Sequence, residues 1–160
     1  MVVDRSRIAL AICVALFAVQ PAWSTVKERW IVAKASGGAL AYNAETLTRD
    51  EKTGFITFAS GMYLIKSQKT ADGKAFHYVL SEDRLDCVAN SFQAVTRVLF
   101  DDGQKVVDLI ELDEQPWQPI GENPALAFLQ SIACKGDAVG NTREAANVAD
   151  ALKLMKTLSK

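Results

Sequence analysis

Residues 91–112 have the sequence SFQAVTRVLFDDGQKVVDLIEL, and this stretch decides the fold class. Successive side chains of a β-strand point to opposite faces, and the first arm of the stretch fits that period. One face is predicted to carry Phe92, Ala94, Thr96, Val98 and Phe100. The Asp-Gly pair at 102–103 favours a tight turn, because glycine accepts a positive φ. The stretch therefore predicts an antiparallel hairpin with strands at 91–100 and 105–112.

Shorter strand candidates lie upstream of this hairpin, separated by turn residues. They occupy residues 29–34, 39–42 with 45–49, 55–58, 62–66 and 75–80. Gly37 and Gly38, the polar run 50–54, the Ala-Ser-Gly segment 59–61 and the Asp-Gly pair 72–73 form the predicted turns. Several short strands at such spacings are typical of an antiparallel meander. We therefore predict an α+β domain whose antiparallel β-sheet has about six strands.

The pattern changes to that of helices near the C-terminus. Asn123 is a suitable N-cap and Pro124 a suitable first residue for a helix that runs to residue 133, immediately before Cys134. Residues 135–140 contain two glycines and are predicted to form a linker. Asn141 or Thr142 is predicted to cap a second, amphipathic helix. We expect this second helix to cover the same sheet, with docking on a partner as the alternative.

The N-terminal segment has the features of a secretory signal peptide. Arg5 and Arg7 precede an apolar run at 8–19, and Ala22 and Ser24 are small residues at the −3 and −1 positions of a cut after Ser24. The run is shorter than the roughly 20 residues that span a bilayer, so an uncleaved anchor is the weaker alternative. We predict a signal peptide at 1–24, a domain at 25–134, and a linker with a helical tail at 135–160. The features are typical of a bacterial protein that is periplasmic or secreted.

Three cysteines bear on export and on stability. Cys13 lies inside the apolar run after the bulky Ile12, where a lipidated cysteine would follow a small residue, so no lipid is predicted. Cys87 and Cys134 remain after cleavage, and in an oxidising compartment such a pair predicts a disulfide. A reactive or metal-binding pair is the alternative. A redox site would favour Cys-x-x-Cys spacing, and a zinc site needs further ligands.

Charge and motif content exclude several function classes. The chain has 18 Lys and Arg against 19 Asp and Glu, with no basic cluster, which argues against nucleic-acid binding. The sequence contains no nucleophile-elbow, zinc-protease or phosphate-loop motif. The carboxylates at 82, 83 and 86 and at 101–102 are interpreted as solvated turn residues. No catalytic residue, metal ligand or cofactor is therefore predicted, and binding residues stay unknown.

Several short motifs resemble, in their order, the bacterial surface-adhesin protein E-like family. They are Trp30, YNAETLTR at 42–49, LDC at 85–87, FDDG at 100–103, PWQPI at 116–120, and finally Cys134. The resemblance implies an exported domain with an antiparallel sheet, a packed helix and a disulfide that joins them. Named members act as surface adhesins for host proteins. Two departures are that the adhesin proper is a lipoprotein, and that Asn43 stands where the family often has Asp.

These observations together favour an exported, non-enzymatic binding module of the bacterial cell envelope. Its expected partner is an envelope or extracellular protein, with no nucleic acid and no stable membrane span after signal cleavage. The alternative hypothesis is a small periplasmic enzyme or ligand-binding protein that uses His77 with a nearby carboxylate. The position of His77 relative to carboxylates in the folded chain discriminates between the two hypotheses.

Overall fold

The computed structural model describes residues 27–112, 115–121, 123–136 and 140–160, so the predicted signal peptide and Cys13 lie outside the described residues. The strands are β1 (Trp30–Ala35), β2 (Gly38–Asn43), β3 (Thr48–Arg49), β4 (Ile56–Lys69), β5 (Ala75–Asp86), β6 (Ser91–Phe100), β7 (Val106–Glu111), β8 (Gln118–Pro119) and β9 (Thr142–Ala145). The helices are α1 (Pro124–Gln130), which continues as a π-helical turn (Ser131–Lys135), and α2 (Val148–Leu158).

The described strands form one antiparallel sheet in the order β7-β6-β5-β4-β2-β1-β9. The short strands β3 and β8 pair with β4 and β6 respectively. The predicted α+β class with an antiparallel sheet and C-terminal helices is confirmed. The described chain contains nine strands rather than about six, because β3 and β8 are two residues long and β9 was not predicted.

Strand β4 is continuous where the sequence predicted two strands separated by a turn at 59–61. Its partner β5 pairs with it on both sides of this segment, with Ser60 opposite Ser81 and Gly61 opposite Leu80. A Cβ at position 61 would lie 3.0 Å from the Leu80 side chain and 3.3 Å from that of Met155 on α2. Glycine is therefore explained by the close approach of the Leu80 and Met155 side chains rather than by a turn.

A β-bulge in β6 changes which of its residues share a face. On β5, Glu82 lies opposite Thr96, and the following residue, Asp83, lies opposite Ala94. Val95 therefore has no partner on β5 and is the extra residue of the bulge. The prediction that 92, 94, 96, 98 and 100 share one face is therefore wrong. Phe92 and Ala94 instead share a face with Arg97 and Leu99. Phe100 packs into the core cluster on the opposite face.

Helix α2 covers one face of the sheet, over β1, β2 and β4. Its buried residues Ala151, Leu152 and Met155 pack with the fully buried Trp30 and Val32 of β1. This is the packing expected of the amphipathic C-terminal helix. The helix begins later than predicted, because Asn147 rather than Asn141 or Thr142 is its N-cap. Residues 142–145 pair instead with β1, whose outer edge would otherwise be open.

Helix α1 lies on the other face and contacts a second core cluster. The side-chain oxygen of Asn123 accepts hydrogen bonds from the backbone N–H groups of Ala125 and Leu126, so the predicted cap and first residue of this helix are confirmed. Leu129 packs with Ile56 and Phe58 of β4, with Leu85 of β5 and with Ile120. The Cys87–Cys134 disulfide joins the end of β5 to the π-helical turn, with Cα atoms 5.7 Å apart.

Candidate functional site

A groove of about 730 Å³ lies on the α1 face of the sheet. It begins at Leu40 on β2, crosses β4, β5 and β6, and reaches Ile110 on β7, with the first turns of α1 along one side. The apolar side chains along the groove include Met62, Val79, Phe92, Leu99 and Leu126. Its size and apolar lining are those of small-molecule binding sites, which usually add a few placed polar groups.

A buried carboxylate lies in this groove. Asp83 on β5 is 7% exposed, and Ser60 Oγ on β4 donates a hydrogen bond of 2.6 Å to its Oδ2 atom. The two residues are held together because strands β4 and β5 pair continuously through this region. The interpretation of Asp83 as a solvated turn residue is therefore wrong, because it lies inside a long strand. Asp86 does serve a turn, since its Oδ1 accepts from the N–H groups of Val88 and Ala89.

Burial changes the ionisation of Asp83. Desolvation disfavours the charged form and raises the pKa of its carboxyl above the ordinary value. The hydrogen bond from Ser60 and the positive charge of Arg97 act in the opposite direction, and the charge of Glu82 adds to the increase. A carboxyl with a raised pKa inside a cleft is a feature of functional sites, although structural networks also produce it.

Arg97 places a cationic group next to this carboxyl. It lies opposite Ser81 on β5 and, because of the bulge, on the groove face of β6. The residue is half-buried, and no described residue hydrogen bonds to its guanidinium or forms an ion pair with it within 4.0 Å. Five N–H donors in a planar fork favour a carboxylate or phosphate partner. The groove therefore presents unused donors beside apolar walls.

His77 contacts a backbone carbonyl and an aromatic ring. Its Nδ1 atom lies 2.8 Å from the carbonyl oxygen of Leu64, and its ring stacks on Tyr63 with centroids 5.9 Å apart. Among the described residues, no carboxylate lies within hydrogen-bond distance of the ring. The arrangement that the enzyme hypothesis requires, a histidine next to an acid in a cleft, is not formed by this part of the chain.

Two further features bear on the kind of site. Within the described ranges, no three His, Cys, Asp or Glu side chains are grouped closely enough to hold a metal ion. No helix in the same ranges has the length and apolar content needed to cross a membrane. Asp83 and Arg97 were not predicted as a pair, because their proximity depends on the β-bulge at Val95, which no residue type near it indicates. Cys87 and Cys134 lie together at the rim of the second core cluster.

A match to a protein-family model spans the sheet strands β1–β8, α1 and both disulfide cysteines. No match was found among curated proteins or among solved structures. The family model described as surface-adhesin protein E matches residues 23–135, which is more than half of the chain. The chain therefore belongs to the surface-adhesin protein E family.

Proposed function

We propose that this protein is an exported, non-enzymatic binding module of the bacterial cell envelope. The observation that carries the proposal is the match of residues 23–135 to a family described as a surface adhesin. The basic residues and apolar run before the matched region support export by a cleavable signal peptide. The disulfide fits this compartment, because disulfides persist in the periplasm and outside the cell.

The outer edge of the sheet at β7 is the surface that best fits a protein partner. This strand ends the strand order of the described sheet, so its outer backbone groups have no neighbouring strand there. Val106 and Leu109 are 63% and 57% exposed. They lie on the same face of the sheet, because their partners on β6, Phe100 and Val98, are two residues apart and share a face. An edge with exposed apolar side chains favours pairing with an extended segment of another protein.

Export is tested by expressing the full chain in a bacterium and fractionating the cells. We expect the protein in the periplasm or the medium, with an intact mass that begins at Thr25 and carries no acyl chain. Retention in the cytoplasm would contradict export. A lipid on Cys13 would contradict the unlipidated form and would place the protein on a membrane.

Binding is tested with the purified mature protein on envelope and extracellular protein fractions. Leu109→Lys is expected to abolish recovery of a cross-linked partner, because a charge replaces an apolar contact at the β7 edge. Val88→Lys is the matched control, since Val88 is an exposed apolar residue in a turn away from that edge. His77→Ala should leave binding unchanged. Equal loss in both lysine variants, or loss only in His77→Ala, would contradict the β7 surface.

A further inference from the structure

The groove on the α1 face has the dimensions and the lining of a site for an elongated apolar molecule. It spans β2 to β7 across four inter-strand spacings of about 4.8 Å, or roughly 19 Å in total. Met62, Val79 and Leu99 form its floor from three adjacent strands, and Leu126 of α1 faces them. Binding to such a surface becomes tighter with each methylene group of the ligand that is removed from water.

The polar groups in the groove determine the head group of such a ligand. Arg97 on β6 is a half-buried cation in the lining of the groove, and its guanidinium has no hydrogen-bond partner among the described residues. Asp83 lies beside it but is buried, and burial favours its neutral form. Asp108 lines the groove from the exposed edge strand, where solvent screens its charge. An anionic head group therefore finds more attraction than repulsion at Arg97.

We propose that the groove binds an anionic amphiphile, with its alkyl chain along the apolar wall and its carboxylate on the guanidinium of Arg97. This inference goes beyond the proposed protein-binding function, because it concerns the sheet face rather than the β7 edge. A carboxylate on an arginine fork makes two charge-assisted hydrogen bonds. At a half-buried guanidinium, these contacts are stronger than on a fully exposed surface.

The test is isothermal titration calorimetry, in which sodium dodecanoate is added to the mature, oxidised protein at concentrations below its critical micelle concentration. Dodecan-1-ol and dodecylammonium have the same chain with a neutral and a cationic head group. We expect dodecanoate to bind at least tenfold more tightly than either control. Equal or tighter binding of dodecylammonium would overturn the proposal and identify Asp83 as the recognition group. Absence of dodecanoate binding would overturn it as well.

Three variants locate the site. Arg97→Gln is expected to weaken dodecanoate binding at least tenfold and to leave dodecan-1-ol binding unchanged. Arg84→Gln is the matched control, because Arg84 is an exposed arginine of β5 whose side chain points to the opposite face. Val79→Trp should fill the groove and weaken both ligands. Circular dichroism establishes that each variant is folded, and unchanged dodecanoate affinity in folded Arg97→Gln or Val79→Trp would overturn the assignment.

Discussion

Removing the disulfide by changing both Cys87 and Cys134 to alanine is expected to lower the free energy of unfolding by about 4 kcal/mol. The bond closes a loop between residues 47 positions apart. Without it, the unfolded chain gains the conformational entropy that the loop excluded, and the logarithmic dependence on loop length gives this value. Alanine is preferred to serine, because both cysteines pack against the second core cluster and a buried hydroxyl would add its own cost.

The same change should also have a local effect. Helix α1 contacts the sheet through a small cluster that includes Leu129, and the disulfide holds the end of its π-helical turn. Helix α2 packs against the opposite face and has no covalent link to the sheet. Hydrogen exchange should therefore accelerate in residues 124–135 of the double variant more than in 148–158.

Urea denaturation of the oxidised parent, the reduced parent and the double variant measures the effect. The reduced parent and the double variant should unfold at similar, lower urea concentrations, with a steeper denaturant dependence because the unfolded chain is less compact. Reducing agent should leave the double variant unchanged, which controls for effects of the reagent. A double variant that unfolds at the same urea concentration as the oxidised parent would refute the reasoning.

Three further perturbations address the core, a close backbone contact and the buried acid. Met155→Ala should destabilise the protein by about 2–5 kcal/mol in urea denaturation, because Met155 is fully buried, whereas Lys153→Ala on the exposed face should cost under about 0.5 kcal/mol. Gly38→Ala should lower the melting temperature, because its Cβ would lie 1.8 Å from the carbonyl oxygen of Tyr63, and an unchanged melting temperature would contradict that contact. Asp83 has a raised pKa, so its ionisation opposes folding as pH rises from its ordinary value through the raised one. Asp83→Asn removes this effect, so its stability relative to the parent should increase as pH rises above the ordinary pKa of an aspartate, about 3.9, and a constant or falling difference would contradict the raised pKa.

Features governed by local sequence could be predicted. The 91–112 hairpin follows from an alternating pattern around Asp-Gly, and the structure has β6 and β7 at that place. The start of α1 follows from Asn123 followed by Pro124, because the cap and the proline act within one turn of helix. The disulfide follows from the two cysteines that remain outside the predicted signal peptide.

Features governed by distant contacts could not be predicted. Residues 142–145 have local helix-forming character, yet they complete the open edge of β1, more than 100 positions away along the chain. Gly61 interrupts no strand, because the atoms that require a glycine there belong to Leu80 and to Met155 on α2. In both cases tertiary packing outweighs a local preference.

The binding groove depends most strongly on a single non-local feature, the bulge at Val95. With a regular strand, Arg97 would share a face with Val95 and Leu99, opposite to Phe92 and Ala94. The extra residue instead brings Arg97 to the face of Phe92, and across the strand pair toward Asp83. A one-residue change of register thus converts a surface arginine of the predicted sheet into the cation of an apolar groove. Deleting Val95 would leave a regular strand in which Phe92, Ala94, Arg97 and Leu99 still share a face, so dodecanoate binding should be retained in molecules that keep the sheet, and its loss in folded molecules would contradict this account of the bulge.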